Sequence, residues 1–153
     1  MAAPDAEHQH PDADDQASPS PRTVADAIFT RDPASNGLGM EIVEVADGRA
    51  VMTMTVRPDM VNGLDVCHGG LIFTLADSAM AFSSNCGNEK ALAVNAEIDW
   101  VSPGRVGDVL TATAEQQHRR GRNAITDVTV TDQTGRTVAL FRGRVRFVEG
   151  THL

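Results

Sequence analysis

Several things are scarce in this chain, and each scarcity removes a class of protein. It has two cysteines, Cys67 and Cys86, too few in 153 residues for a disulfide framework. Its apolar runs fall far short of the roughly 20 residues a membrane-spanning helix needs. The first twenty residues carry neither the basic nor the apolar region of a signal peptide. The expectation is a cytoplasmic protein with no membrane partner. A basic stripe is also missing, so no nucleic-acid partner is expected. Residues 1–21 contain no Lys, Arg or aromatic residue, but five acids and four prolines. Such a segment cannot bury enough apolar surface to offset the entropy of ordering it. It is read as a disordered acidic tail. Its His8 and His10 form an H-x-H pair without cysteines or a fixed scaffold beside them, so no metal is expected.

What remains is one domain, residues 22–153, holding 13 basic against 16 acidic residues. Thr23 is placed to cap a short helix running to about Arg31, closed by Pro33 and Gly37. Two strand-like runs, 38–45 and 49–56, flank Asp47-Gly48, a strong hairpin signal. A loop follows from Asn62, and then comes GGLIFTLADSAMAFSSN. This segment is apolar nearly all round, as a buried helix is. Four long strand-like segments complete the chain, near 90–101, 107–119, 122–132 and 136–148. Short turns between them predict an antiparallel meander. The fold class is α+β, a curved antiparallel sheet wrapped around one long central helix.

Asp77 is the one ionisable residue inside that helix. Among Leu75, Ala76, Ala79 and Met80 its carboxylate loses hydration, which raises its pKa. Alternatively it faces a solvated groove, or pairs with Arg105, Arg119 or Arg122. The helix opens on Cys67-His68-Gly69-Gly70. Its first amides have no internal acceptor and sit at the positive end of the helix dipole, an arrangement that can polarise a carbonyl. The glycine pair serves equally well as a plain tight turn. Gly69 and Asp77 stand eight residues apart, roughly 12 Å along a helix axis. One small substrate cannot touch both, so a site that uses both needs two chains and at least a dimer.

The string CHGGLIFTLADSAMAFSSN resembles the signature of the hotdog thioesterases of the phenylacetic acid degradation (PaaI) type. The likeness continues through MTMTV, MVNG, IDWVSPGRVGDVLTATA and TVALFRGRVR. It covers nearly everything from Val24 to Phe147. The resemblance implies a hotdog fold and hydrolysis of an acyl-CoA, such as phenylacetyl-CoA or a related aryl-acyl-CoA, with no metal or organic cofactor. It implies Asp77 as nucleophile or general base, the Gly69 N–H as the group polarising the thioester carbonyl, and His68 as an orienting residue. Asn62 and Gly70 would lie along the substrate. It also implies a homo-oligomer, a dimer that pairs further into a homotetramer. One departure stands out: where the family has Asn-Asp in the first helix, this chain reads Arg31-Asp32.

Arg119, Arg120 and Arg122 cluster at a turn and are candidates for the CoA phosphates. Arg142, Arg144 and Arg146 alternate on the last strand and read better as an ordinary charged strand face. Two further functions share the fold. A hydratase or dehydratase would pair a His with a carboxylate, but the chain lacks an Asp-x-Asn-x-x-His string. A non-catalytic acyl-CoA-binding regulator would need a DNA-binding segment, which the acidic tail does not supply.

Overall fold

The computed structural model describes residues 18–153; the expectations for most of the acidic tail, and for His8 and His10, lie outside them. Two short helices come first, α1 (Pro21–Phe29) and α2 (Pro33–Gly37). Ser20, not Thr23, caps α1: its Oγ accepts the Thr23 N–H at 3.1 Å, and Pro21 takes the first helical position, where no amide is needed. The helix therefore starts two residues before Thr23. Pro33 does not merely stop α1. It opens α2, which Asp32 caps through the Ser35 N–H at 3.0 Å.

The hairpin forms as expected. Strands β1 (Glu41–Ala46) and β2 (Arg49–Thr55) pair antiparallel, and Gly48 turns between them at φ 72°. The central helix α3 runs Gly69–Asn85, the span of the apolar segment in the sequence. Four strands follow: β3 (Glu89–Trp100), β4 (Val109–Arg120), β5 (Asn123–Thr131) and β6 (Thr137–Thr151).

All six strands form one antiparallel sheet in the order β1-β2-β4-β5-β6-β3. The expected four-strand meander holds only for β4, β5 and β6. β3 does not pair with β4; it lies at the far edge beside β6, with Ala93 opposite Val145 and Ile98 opposite Phe141. The stretch from Val101 to Asp108 carries the chain back across the sheet to β4. Placing β3 there frees β4 to join β2, so α3 packs against β2, β3, β4 and β5 together.

The core lies between α3 and the concave sheet face. Leu75, Ala76, Ala79 and Met80 are fully buried against Met52, Leu110, Ala112 and Val130. Burying a side chain such as Leu75 contributes about 1.5–3 kcal/mol. Small residues keep the helix close: a side chain on Gly143 would collide with the sulfur of Met80. The helix is not buried all round, however. Gly70, Thr74, Asp77 and Ala81 form a stripe at steps of three and four residues that stays partly or wholly open. α1 and α2 flank this stripe.

Candidate active site

Asp77 projects from the open stripe into a cavity of about 280 Å³. Ile28 of α1, Ala34 and Ser35 of α2, and Thr74, Ser78, Ala81, Phe82 and Asn85 of α3 line it with Asp32. α2 is tied to the wall: Ser35 Oγ lies 3.1 Å from Ser78 Oγ, and the Asp32 cap holds the Ser35 backbone. Burial raises the Asp77 pKa, with no cation or donor among the described residues opposing it. The expected arginine partners are elsewhere. Arg119 is bound to Glu89 at 2.7 Å and stacks over Phe147. Arg122 faces Glu149 at 3.8 Å. Arg105 is exposed in the loop before β4.

A carboxylate in this condition is chemically poised. Its charge is under-solvated and unpaired, which strengthens it as a base or nucleophile near neutral pH. Thr74 and Asn85, one turn before and two turns after Asp77, share its face. Together with Ser35 and Ser78 they escaped the sequence reading. Their spacing of three and eight residues from Asp77 was the available signal for Thr74 and Asn85.

The other end of α3 is built differently. The Nδ1 of His68 accepts the Gly70 N–H at 3.0 Å, and the His68 carbonyl takes the Leu71 N–H at 2.9 Å. With Nδ1 used as an acceptor, the neutral ring carries its proton on Nε2. His68 is thus the helix cap. The Gly69 N–H is left without an acceptor among the described residues, at the positive end of the helix dipole.

Gly69 borders a second cavity of about 350 Å³, lined by Asn62, Val66, Cys67, Ile72, Trp100 and the loop 101–103. Asn62 uses its Oδ1 to hold the loop, accepting the Leu64 N–H at 2.9 Å, and keeps its Nδ2 for other partners. Of the expected residues, Asn62, His68, Gly69 and Gly70 gather at the start of α3, while Asp77 sits in a different cavity eight residues along the helix.

The expected phosphate cluster does not form as a unit. Arg119 and Arg122 face acids, and Arg120 borders an open cavity beside His118, Asn123 and Arg144. On β6, Arg142 is paired with Asp127 at 2.6 Å, in keeping with an ordinary charged strand face. No group of three or more metal-binding side chains occurs among the described residues, and none of their helices is long and apolar enough to cross a membrane.

Comparison with known proteins places this architecture. Residues 64–139 match the model of the thioesterase superfamily. The acyl-coenzyme A thioesterase PaaI of Escherichia coli is 41% identical over 127 residues, covering 83% of this chain and 91% of that protein. The structure of E. coli PaaI superposes with a TM-score of 0.84 at 40% identity, over 86% of this chain and 95% of that one. A hypothetical thioesterase of Streptococcus pneumoniae, solved with coenzyme A, superposes with a TM-score of 0.70 at 27% identity, over 73% of this chain and 90% of that one. The curved sheet around one helix and the sequence match agree: the chain belongs to the PaaI family of hotdog-fold thioesterases.

Proposed function

We propose that this protein hydrolyses acyl-CoA thioesters, with phenylacetyl-CoA and related aryl-acyl-CoAs as its substrates, and that each active site is shared between two subunits. The observation that carries the reading is the state of Asp77, a partly desolvated carboxylate without a counter-ion in a cavity between α3 and the two short helices. That cavity is large enough for a small acyl group.

The chemistry follows from the two ends of α3. In one route Asp77 attacks the thioester carbon, the C–S bond breaks, and the CoA thiolate takes a proton from water; the hydroxide so formed attacks the acyl carbon of the mixed anhydride and releases the Asp77 carboxylate. In the other Asp77 removes a proton from water, the hydroxide attacks the thioester carbon, and the proton passes to the leaving thiolate. Both consume one water and give free acid and thiol. Both build negative charge on the carbonyl oxygen, which the free Gly69 N–H and the helix dipole can stabilise.

Gly69 and Asp77 of one chain are roughly 12 Å apart along the helix, so the amide and the carboxylate acting on one carbonyl must come from different chains. The edge of β3 supports such pairing. It is twelve residues long, it pairs with β6 on one side only, and it exposes Leu92 and Val94. A long uncovered edge of this kind is a template for another strand. Pairing two copies at β3 gives a two-fold dimer with two equivalent sites. The hydratase reading fits less well, because His68 is committed to capping α3.

The test is thiol release. Incubated with phenylacetyl-CoA, the protein is expected to liberate free CoA at a rate that scales with enzyme. Absence of release from phenylacetyl-, benzoyl- and straight-chain acyl-CoAs would remove the proposal.

A further inference from the structure

A larger cavity, about 370 Å³, abuts the one that holds Asp77. Ile28 and Asp32 line both. The two also meet through a hydrogen bond, since His152 Nε2 lies 2.8 Å from Asn85 Oδ1, with His152 in the outer cavity and Asn85 in the inner one. Asn85 already accepts the Ala91 N–H at that oxygen, so His152 is the donor and its ring forms a fixed wall.

This outer cavity collects cations. Arg31 reaches it from the end of α1, and Lys90, the only lysine in the chain, from the start of β3. Neither takes part in an ion pair among the described residues. Arg31 gives its Nε–H to the Ala27 carbonyl at 3.2 Å and keeps the rest of its fork. Arg31, Lys90 and His152 line the same cavity, and the pKa of His152 is lowered, first by burial and then by the charges of Lys90 and Arg31. The one carboxylate in the lining, Asp32, is engaged by the Ser35 N–H. Two permanent cations against one carboxylate make a positive floor in a chain of net charge −8. Such a floor favours an anion.

Length bears on which anion. Asn85, which His152 holds, follows Asp77 by eight residues, roughly 12 Å along α3. An extended acyl chain of medium length runs along most of that span and brings a terminal carboxylate to the outer cavity.

We propose that Arg31 and Lys90, walled by His152, form a subsite for a terminal carboxylate on the acyl group, so that the enzyme favours ω-carboxyacyl-CoA thioesters over neutral acyl-CoAs of equal length. This rests on the thioesterase reading and extends it to a substrate class.

The experiment compares suberyl-CoA with octanoyl-CoA, and the same two acyl groups on N-acetylcysteamine, which has no phosphate. The wild-type protein is expected to prefer the carboxylated member by ~tenfold in kcat/KM on both carriers, the size of one charge-assisted contact. Lys90→Ala and Arg31→Ala should each remove most of that preference, and Lys90→Arg should retain it. Hydrolysis of octanoyl-CoA with no preference for suberyl-CoA would overturn the subsite and leave the thioesterase reading standing. So would a loss shared equally by both CoA esters and absent from the cysteamine esters, which would mark a CoA phosphate site instead. Failure to cleave any thioester, phenylacetyl-CoA included, would remove both readings.

Discussion

The indole Nε1 of Trp100 donates to the Gly69 carbonyl at 3.1 Å, and its ring occupies the space a Gly69 side chain would need: a Cβ there would lie 2.9 Å from the same nitrogen. The strand end of β3 thus presses on the first residue of α3 and fixes where its N–H points.

Gly69→Ala should therefore displace the amide from the carbonyl it is proposed to polarise, without removing it. A displacement of about 1 Å at a reacting centre can cost ~10²-fold in rate. The expected result is a fall of that order in kcat, measured by thiol release. Trp100→Ala vacates the contested space, so adding Gly69→Ala on that background should cost much less than Gly69→Ala alone. Equal losses on both backgrounds would mean that Trp100 does not set the amide position.

Asp77 should trade stability for activity. Its pKa is raised by burial, so the folded state favours the protonated form. For such a group the stabilising contribution is present below the unfolded-state pKa, about 4, and is lost as pH rises through the higher folded-state value. At neutral pH the ionised side chain is therefore a burden on the fold. Asp77→Asn is expected to melt at a higher temperature than wild type at pH 7, with the difference closing toward pH 3–4, where both side chains are uncharged. The same variant should lose ~10²–10⁴-fold in kcat. Wild-type kcat should fall on acidification with an apparent pKa above the ordinary carboxylate range, because both routes need the ionised form. A variant that melts lower at pH 7 would contradict the burial argument, whatever its activity.

Local signals carried most of the secondary structure. The span of α3 was legible because an apolar run bounded by a glycine pair has few other conformations open to it. The hairpin was legible from Asp47-Gly48. The position of β3 was not. Its pairing with β6 joins residues such as Ala93 and Val145, and neither strand's own pattern names its neighbour. The acid that partners Arg119 in the candidate phosphate cluster was hidden for the same reason. Arg119 looks free at its turn, and the acid that holds it, Glu89, is 30 positions away in sequence. Ser20 in place of Thr23 as the first cap is a smaller displacement. Both residues suit the role, and Pro21 at the first helical position decides between them. At the site, Asp77 and the glycine pair were legible because their residue types are unusual in a buried helix. Ser35 was not, because α2 has only five residues and too short a pattern to read.

The packing of Met80 on Gly143 gives a stability prediction independent of function. Met80 is fully buried, and a Cβ on Gly143 would meet its sulfur and also the Phe141 ring at 2.9 Å. Gly143→Ala should overpack the core and destabilise by about 1–3 kcal/mol. Met80→Ala should open a cavity and cost about 2–5 kcal/mol. Because the two compete for one volume, the double variant should be more stable than the sum of the single losses implies, by about 0.5 kcal/mol or more. Urea denaturation of the four proteins measures the coupling, and strict additivity would separate the two sites.

The shared site makes the sharpest demand on assembly. If the Gly69 amide of one chain serves the Asp77 carboxylate of the other, each dimer holds two sites, each drawing one element from each chain. An Asp77→Asn chain paired with a Gly69→Ala chain then contains one doubly damaged site and one intact site. After random exchange half the dimers are mixed, so about a quarter of all sites are restored. Two nearly inactive proteins, mixed and allowed to exchange subunits, should together regain about a quarter of wild-type thiol release, and each alone should regain none. Exchange can be verified by tagging one chain and capturing the other with it. Verified exchange without recovery would place both groups of a working site on a single chain, which the roughly 12 Å of helix between them forbids for a small thioester; the roles given to Gly69 and Asp77 could not then both stand.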